Sequence, residues 1–146
     1  IGAEAAALAK VPIFRDIRSS NLKLLAFGSK RVTFERGEQL FEQGDIGNSA
    51  FVVLSGEVDI LLDEGTDQER QVARLGRHQP VGEIALLATV PRTATARAFS
   101  EVQALEIDKE AFLQIIENDP KVAANVARIA SERLASTMVG MQQRAA

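Results

Sequence analysis

The chain of 146 residues contains no cysteine, tryptophan or tyrosine, and His78 is its single histidine. Without cysteine there is no disulfide framework, no cysteine-ligated zinc and no thiol nucleophile. One histidine excludes the multi-histidine metal sites of several enzyme classes. The missing Trp and Tyr argue against a surface that stacks single-stranded nucleic acid. We therefore expect no metal, no cofactor and no catalytic residue.

Positive charge is also scarce, with 17 Lys and Arg against 20 Asp and Glu and a net charge of −3. Sequence-independent nucleic-acid binding needs a basic face that displaces counterions, so direct nucleic-acid contact is not expected. The longest mainly apolar run, residues 84–90, is far shorter than the ~20 residues that span a membrane. Residues 1–10 lack the basic start and long apolar core of a secretory signal. We expect a cytoplasmic protein without membrane contact.

The residues that are present predict one domain, 1–146, in three parts. Its N-terminal part, residues 1–30, is rich in Ala and Leu and is predicted to be helical. The second helix of this part is predicted to begin with Ser19 or Ser20 as its N-cap. Its apolar side contains Leu22, Leu25 and Ala26.

Residues 31–107 form the second part, in which apolar and polar residues alternate and glycines recur at short intervals. Val58 and Ile60 illustrate the alternation. Short strands at this spacing are typical of an antiparallel roll or barrel. The segment 44–48, Gly-Asp-Ile-Gly-Asn, is predicted to be a corner that needs left-handed backbone.

Residues 108–146 change to helical periodicity. Asp108 is predicted to cap a helix with Phe112, Ile115 and Ile116 on its apolar side. Asp119 and Pro120 then start a long helix, with Asp as N-cap and Pro in the first turn. The fold class predicted for the whole chain is α+β: an antiparallel, jelly-roll-like β-roll with N-terminal helices and two C-terminal helices.

The long helix has two apolar stripes. The first contains Val122, Val126, Ile129 and Arg133, and the second contains Ala127, Ala130, Leu134, Thr137 and Met141. Two stripes favour two neighbours, the roll and a second subunit, and so indicate a homodimer. The alternative is one broad stripe that faces the core.

Residues 82–95 are the segment that carries chemistry. Gly82 lets a ligand approach the backbone, and the N–H groups that begin a short helix over Ile84–Ala88 attract an anion. Arg92, expected at the rim of the roll, can give a charge-assisted fork to phosphate. Since a carboxylate repels phosphate, we assign Glu83 to sugar hydroxyls, and the set predicts a nucleotide with one phosphate charge. The alternative is a surface ion pair between Glu83 and Arg92.

The chain resembles the cyclic nucleotide-binding domain family, of the type found in the catabolite activator protein and in kinase regulatory subunits. The resemblance covers roughly residues 11–140. Its most specific part is the phosphate-binding cassette, residues 82–95, hereafter the cassette. The motifs that carry the resemblance are Arg36-Gly37-Glu38, Gln43-Gly44-Asp45, Phe51 to Val58, Gly82 to Leu86, and Pro91-Arg92-Thr93-Ala94-Thr95.

The resemblance implies ligand-binding roles for Gly82, Glu83, Ile84, Ala85, Arg92, Thr93, Val81, Val72, Arg133, Leu134 and Thr137. Backbone N–H groups of Gly82 and Ala85 would bind the cyclic phosphate. Arg92 would neutralise it with help from the N–H of Thr93, and Glu83 would accept from the ribose 2′-OH.

For the base, the resemblance implies an apolar wall of Val81 and Val72 and a cover of three residues of the last helix, Arg133, Leu134 and Thr137. The Thr93 hydroxyl would reach a syn purine. The sequence departs from the family where Gly76-Arg77-His78 replaces Gly-Pro-Gly and where Val81, after Pro80, replaces an aromatic residue.

The implied function is a non-catalytic sensor that binds 3′,5′-cyclic AMP or cyclic GMP and signals through its last helix. One alternative is the effector-binding half of a dimeric transcription regulator whose DNA-binding domain is not in this chain. Another is a phosphodiesterase, which the lack of metal ligands or a positioned base disfavours. A third is a scaffold that has lost its ligand, against which Glu83 and Arg92 argue.

Overall fold

The computed structural model describes the backbone of residues 2–145 and the side chains of residues 2–129, 131, 132 and 135. The helices are α1 (Gly2–Ala9), α2 (Ser19–Gly28), α3 (Lys109–Glu117) and α4 (Pro120–Ala145), with short 3₁₀ turns at Pro12–Phe14 and Glu83–Leu86. The strands are β1 (Lys30–Phe34), β2 (Gln39–Phe41), β3 (Ser49–Ser55), β4 (Val58–Leu62), β5 (Arg70–Leu75), β6 (Pro80–Val81), β7 (Thr95–Ala98) and β8 (Val102–Asp108).

The strands form two antiparallel four-stranded sheets, in the orders β1-β8-β3-β6 and β2-β7-β4-β5. The sheets face each other, and the helices cover the outer face of the first sheet. This confirms the predicted fold class, a jelly-roll-like β-roll with N-terminal helices and two C-terminal helices.

Strand β3 separates the two hydrophobic cores. Phe51 and Val53 point into the roll and pack between the sheets, whereas Ala50 and Val52 point outward and pack against the helices. All four are nearly inaccessible to solvent. Because both faces of β3 are buried, its sequence is almost continuously apolar and shows no alternation.

Two of the three predicted helix starts are confirmed. The Asp108 carboxylate accepts from the backbone N–H groups of Glu110 and Ala111 at 3.1 and 3.3 Å. The Asp119 carboxylate caps α4 in the same way, accepting from the N–H of Lys121 at 3.2 Å.

The predicted N-cap of α2 is wrong. Ser19 and Ser20 are already helical, and the cap is Arg18, which has extended backbone angles and makes no side-chain cap bond. Its carbonyl accepts from the Leu22 N–H at 3.0 Å, so the backbone closes the first turn without a hydroxyl.

The first stripe of α4 faces the core, because Val122, Val126 and Ile129 are buried against the helices and β-roll. Of the second stripe, Ala127 is described and exposed. The side chains of Arg133, Ala130, Leu134, Thr137 and Met141 lie outside the described residues. The homodimer seam therefore stays a prediction.

Candidate functional site

A cavity of about 240 Å³ lies between the cassette and the inner faces of β2, β4 and β5. One wall comes from the cassette and carries the polar side chains of Glu83, Arg92 and Thr93; the other comes from the strands and is mainly apolar. The lining residues are Phe41, Ile60, Leu75, Gln79, Pro80, Gly82, Glu83, Ile84, Ala85, Val90, Pro91, Arg92, Thr93 and Ala94.

The cassette begins at Gly82, which has a left-handed φ of 75°. A Cβ atom there would lie 2.5 Å from Arg92 Nη1 and 2.9 Å from Phe41 Cε2, so only glycine fits both the conformation and the space. The following 3₁₀ turn spans Glu83–Leu86, one residue earlier than the predicted start. The Ala85 N–H, expected to bind phosphate, donates to the Gly82 carbonyl at 3.2 Å inside this turn.

We expected Arg92 at the rim of the roll, and this prediction is wrong. The residue is buried, with only 8% of its surface exposed. Its Nη2 donates to the Ser49 carbonyl at 2.8 Å and its Nη1 to the Gly82 carbonyl at 3.3 Å. Its buried Nε has no hydrogen-bond partner among the described residues. The guanidinium thus joins β3 to the cassette and keeps one unsatisfied donor.

The charges around Arg92 do not neutralise it directly. Burial lowers the pKa of the guanidinium, and the nearby carboxylates of Asp45 and Glu106 oppose that shift. In the described part of the chain, no carboxylate forms an ion pair with Arg92. The alternative of a surface ion pair with Glu83 is therefore contradicted, and both side chains are buried.

The corner at residues 44–48 holds the backbone of Arg92. The Arg92 N–H donates to the Asp45 carbonyl at 2.7 Å, and the Gly44 N–H donates to the Arg92 carbonyl at 2.9 Å. Gly44 has the predicted left-handed conformation, with φ 96°. Gly47 has a different role, because a Cβ there would overlap the guanidinium of Arg92. The corner is thus part of the site.

The remaining cassette residues of the prediction, Glu83, Ile84 and Thr93, line the cavity together with Gly82, Ala85 and Arg92. Glu83 is 8% exposed and Thr93 is half-buried. The predicted cover residues Arg133, Leu134 and Thr137 lie outside the residues whose side chains are described.

The structure does not bring Val72 or Val81 to the cavity lining. Val72 is 47% exposed. It is the extra residue of a β-bulge, since Ile60 pairs with Ala73 and Leu61 pairs with Gln71. Leu75, three residues later, lines the cavity, so strand alternation puts Val72 on the other side of β5. Val81 is buried in the core between the sheets, behind the cavity wall.

Three strand residues of the wall were not among the predicted site residues: Phe41, Ile60 and Leu75. The alternation of Val58 and Ile60 was the available signal for Ile60. For Phe41 there was none, because β2 has three residues and its pairing with β7 is bulged between Gln39 and Phe41.

At the first departure from the family pattern, His78 takes a left-handed φ of 68°. Its N–H donates to the Val53 carbonyl at 2.7 Å, which holds the turn against β3. Partial burial and the charges of Lys10 and Arg77 lower the pKa of the imidazole.

Among the described residues, no three His, Asp or Glu side chains come together as metal ligands. None of the helices, within the same residues, is both long and apolar enough to cross a membrane.

Comparison with known proteins matches residues 31–119 to the cyclic nucleotide-binding domain. The cyclic AMP receptor protein of Thermus thermophilus is 32% identical over 84% of this chain and 57% of its own length. The cGMP-dependent protein kinase of Eimeria tenella is 39% identical over 73% of this chain and 10% of the kinase.

Among solved structures, the N-terminal domain of a transcriptional regulator from Streptomyces coelicolor has 30% identity and a TM-score of 0.75. The alignment covers 92% of this chain and 94% of that domain. The chain spans somewhat more than half of the Thermus protein and a tenth of the kinase. The chain belongs to the cyclic nucleotide-binding domain family, whose members are regulatory and generally non-catalytic.

Proposed function

We propose that this chain is a non-catalytic sensor that binds 3′,5′-cyclic AMP or cyclic GMP in the cavity beside the cassette. The observation that carries the proposal is Arg92, a buried cation without a carboxylate partner among the described residues and with an unsatisfied Nε–H. Burying a charge without a counter-ion is costly. A phosphodiester anion entering from the cavity would supply the counter-ion and accept the free donor.

The cassette residues have distinct tasks in this proposal. Arg92 and the N–H of Thr93 bind the cyclic phosphate, together with the N–H groups of Gly82 and Ala85. The Ala85 N–H must exchange its 3.2 Å bond to the Gly82 carbonyl for the phosphate, a small rearrangement of one turn. Glu83, a buried carboxylate on the same wall, accepts from the ribose 2′-OH.

The apolar wall supports a place for the purine. Ile60 of β4 and Leu75 of β5 line the cavity together with Pro80, and a flat heterocycle buries apolar area there. Arg133, Leu134 and Thr137 of α4 are proposed to cover the base. Relatives named for cyclic AMP and for cyclic GMP both match this chain, so we propose that both nucleotides bind, with cyclic AMP slightly favoured.

Signalling in this proposal is a population shift. Ligand binds more tightly when α4 lies over the cavity, and that arrangement is then read by whatever α4 contacts. A homodimer through the second stripe of α4 is one such contact, and sedimentation with and without ligand tests it. Cytoplasmic location and the absence of direct nucleic-acid contact remain predictions.

A second candidate is the effector-binding half of a dimeric transcription regulator. The Streptomyces coelicolor domain supports it, since a domain of a transcriptional regulator matches this chain along nearly its whole length. The full reading frame distinguishes the two, because this candidate requires a DNA-binding domain elsewhere in the protein.

Calorimetric titration with cyclic AMP, cyclic GMP and linear AMP tests the binding proposal. We expect both cyclic nucleotides to bind and linear AMP to bind more weakly, because the site offers one cation to a phosphate with more negative charge. Analysis of the ligand after incubation should recover the cyclic form unchanged. Failure of both cyclic nucleotides to bind would overturn the proposal, and a linear monophosphate product would show an enzyme.

A further inference from the structure

The Arg92 guanidinium lies over the ring of Phe41, a residue of the cavity wall that lies outside the cassette. Its Cζ is 4.0 Å from the ring centroid. The ring of Phe41 is in turn stacked on Phe51, at 6.3 Å between centroids and 29° between planes. Phe51 is buried between the sheets, so the core holds the ring that meets the cation.

A guanidinium can form hydrogen bonds and a cation–π contact in different directions. Its N–H groups point outward in the plane of the group, and an aromatic ring attracts the cation from above that plane. Phe41 therefore attracts Arg92 without using a donor. A carboxylate in the same place would hold Arg92 by the N–H groups that a phosphate needs.

The backbone next to Phe41 and Arg92 leaves room for their contact because it has a glycine there. A Cβ at Gly82 would meet Phe41 Cε2 at 2.9 Å and Arg92 Nη1 at 2.5 Å, so glycine lets the ring and the cation approach at the start of the cassette. The side-chain hydrogen bonds of Arg92 end on two backbone carbonyls, and the ring of Phe41 adds an attraction that occupies no donor.

We infer that Phe41 is a positioning residue, whose ring face holds Arg92 in place for the phosphate while leaving its donors available. This inference rests on the proposed cyclic nucleotide binding. It adds that affinity depends on the electron density of the Phe41 ring and not only on its volume.

The test replaces Phe41 with phenylalanines that carry increasing numbers of fluorine atoms, which keep the ring and withdraw charge from its face. We expect the affinity for cyclic AMP to fall stepwise, by roughly 2- to 30-fold across the series. Phe41→Leu keeps an apolar side chain but removes the ring, and it should reduce the affinity for cyclic AMP by a factor in the same range. In an Arg92→Ala background the same fluorinated rings should change the remaining affinity little.

Phe34 is the matched control. It packs against Phe51 inside the same roll, at 5.7 Å between centroids, and no cation contact is found for it among the described residues. Fluorinating Phe34 should leave the affinity unchanged.

The outcomes are distinguishable. A parent protein that binds no cyclic nucleotide overturns the proposed function itself. A parent that binds, with an affinity that is flat or rises across the Phe41 series, overturns only the positioning role. Equal losses at Phe34 and Phe41 also overturn it, because they would reflect packing.

Discussion

Arg74 and Arg92 both lie over a phenylalanine ring, but one of them is paired with a carboxylate and the other is not. Arg74 Cζ is 3.6 Å from the centroid of Phe99, and its Nε donates to Asp59 at 2.7 Å. Arg92 lies 4.0 Å from its ring and donates to backbone carbonyls. Arg74 therefore has a carboxylate partner within the protein, whereas Arg92 has none among the described residues.

The pKa values of the two guanidinium groups shift in opposite directions. The hydrogen bond to Asp59 raises the pKa of Arg74, whereas burial lowers the pKa of Arg92. Since a guanidinium stays protonated in proteins, Arg92 cannot relieve its burial by losing a proton. In the proposed function a ligand phosphate supplies the counter-ion that Asp59 supplies to Arg74.

The largest effect is expected for Arg92→Ala. Removing the partner of a buried anion typically costs ~2–5 kcal/mol, or roughly 30- to 5000-fold in affinity. Because Arg92 also bonds the Ser49 and Gly82 carbonyls, the variant should melt at a lower temperature. Calorimetry and thermal unfolding measure the two effects.

Arg74→Ala is the matched control. It leaves Asp59 buried without its partner, so the melting temperature should fall, while the affinity for cyclic nucleotide should stay within about twofold because Arg74 does not line the cavity. Similar affinity losses in both variants would mean that the comparison does not separate structure from function.

Glu83→Ala should give the next largest effect. Glu83 is a buried carboxylate on the same wall as Arg92, and the two do not pair in the described structure. A hydrogen bond to a charged group contributes ~1.5–3 kcal/mol, so the affinity for cyclic AMP should fall roughly 13- to 160-fold. The 2′-deoxy analogue should lose less, and equal losses would place Glu83 in support of the loop.

Gly47→Ala should weaken binding through Arg92. The added Cβ overlaps the guanidinium, which must move away from the phosphate. Overpacking costs ~1–3 kcal/mol, equivalent to roughly 5- to 160-fold. Gly28→Ala, where nothing lies within 4 Å of the new Cβ, is the control and should bind as the parent does.

Thr93→Ala should change the choice between bases more than overall binding. A neutral hydrogen bond contributes ~0.5–1.5 kcal/mol, so the affinity for cyclic GMP should fall about 2- to 13-fold with cyclic AMP nearly unchanged. Competition titrations measure both. A parent that separates the nucleotides by more than ~100-fold would show that another residue reads the base.

The smallest effect is expected for His78, which unlike the two arginines can lose its charge near neutral pH. Its pKa is lowered in the folded state, so the unfolded chain binds more protons as the pH falls below about 6.5. This contribution to stability is present above that pH and is lost below it. In the His78→Asn variant, asparagine tolerates the left-handed backbone. The free energy of unfolding of this variant should depend less on pH between about 7.5 and 5.5 than that of the parent. An unchanged pH slope would contradict this assignment.

The sequence determined the architecture, the Asp caps of α3 and α4, and the position of the cassette. Alternation and glycine spacing in residues 31–107 indicated the roll, and Asp108 and Asp119 marked the helix starts, because these signals depend on neighbours in the chain. Gly82, Glu83 and Arg92 could be proposed as site residues because they lie in one short segment that resembles a family motif, and the structure places all three on the lining of the cavity.

Only the tertiary structure decided how Arg92 is held and what the apolar wall contains. The contacts of Arg92 with Ser49 and Phe41 join residues more than forty positions apart, and no local pattern records them. Strand pairing decided that Leu75 and not Val72 lines the cavity, because two residues three positions apart on a strand lie on opposite faces. Burial of Arg92 depends on both sheets, because Ser49 belongs to the first sheet and Phe41 to the second, and only the folded chain brings them to one side chain.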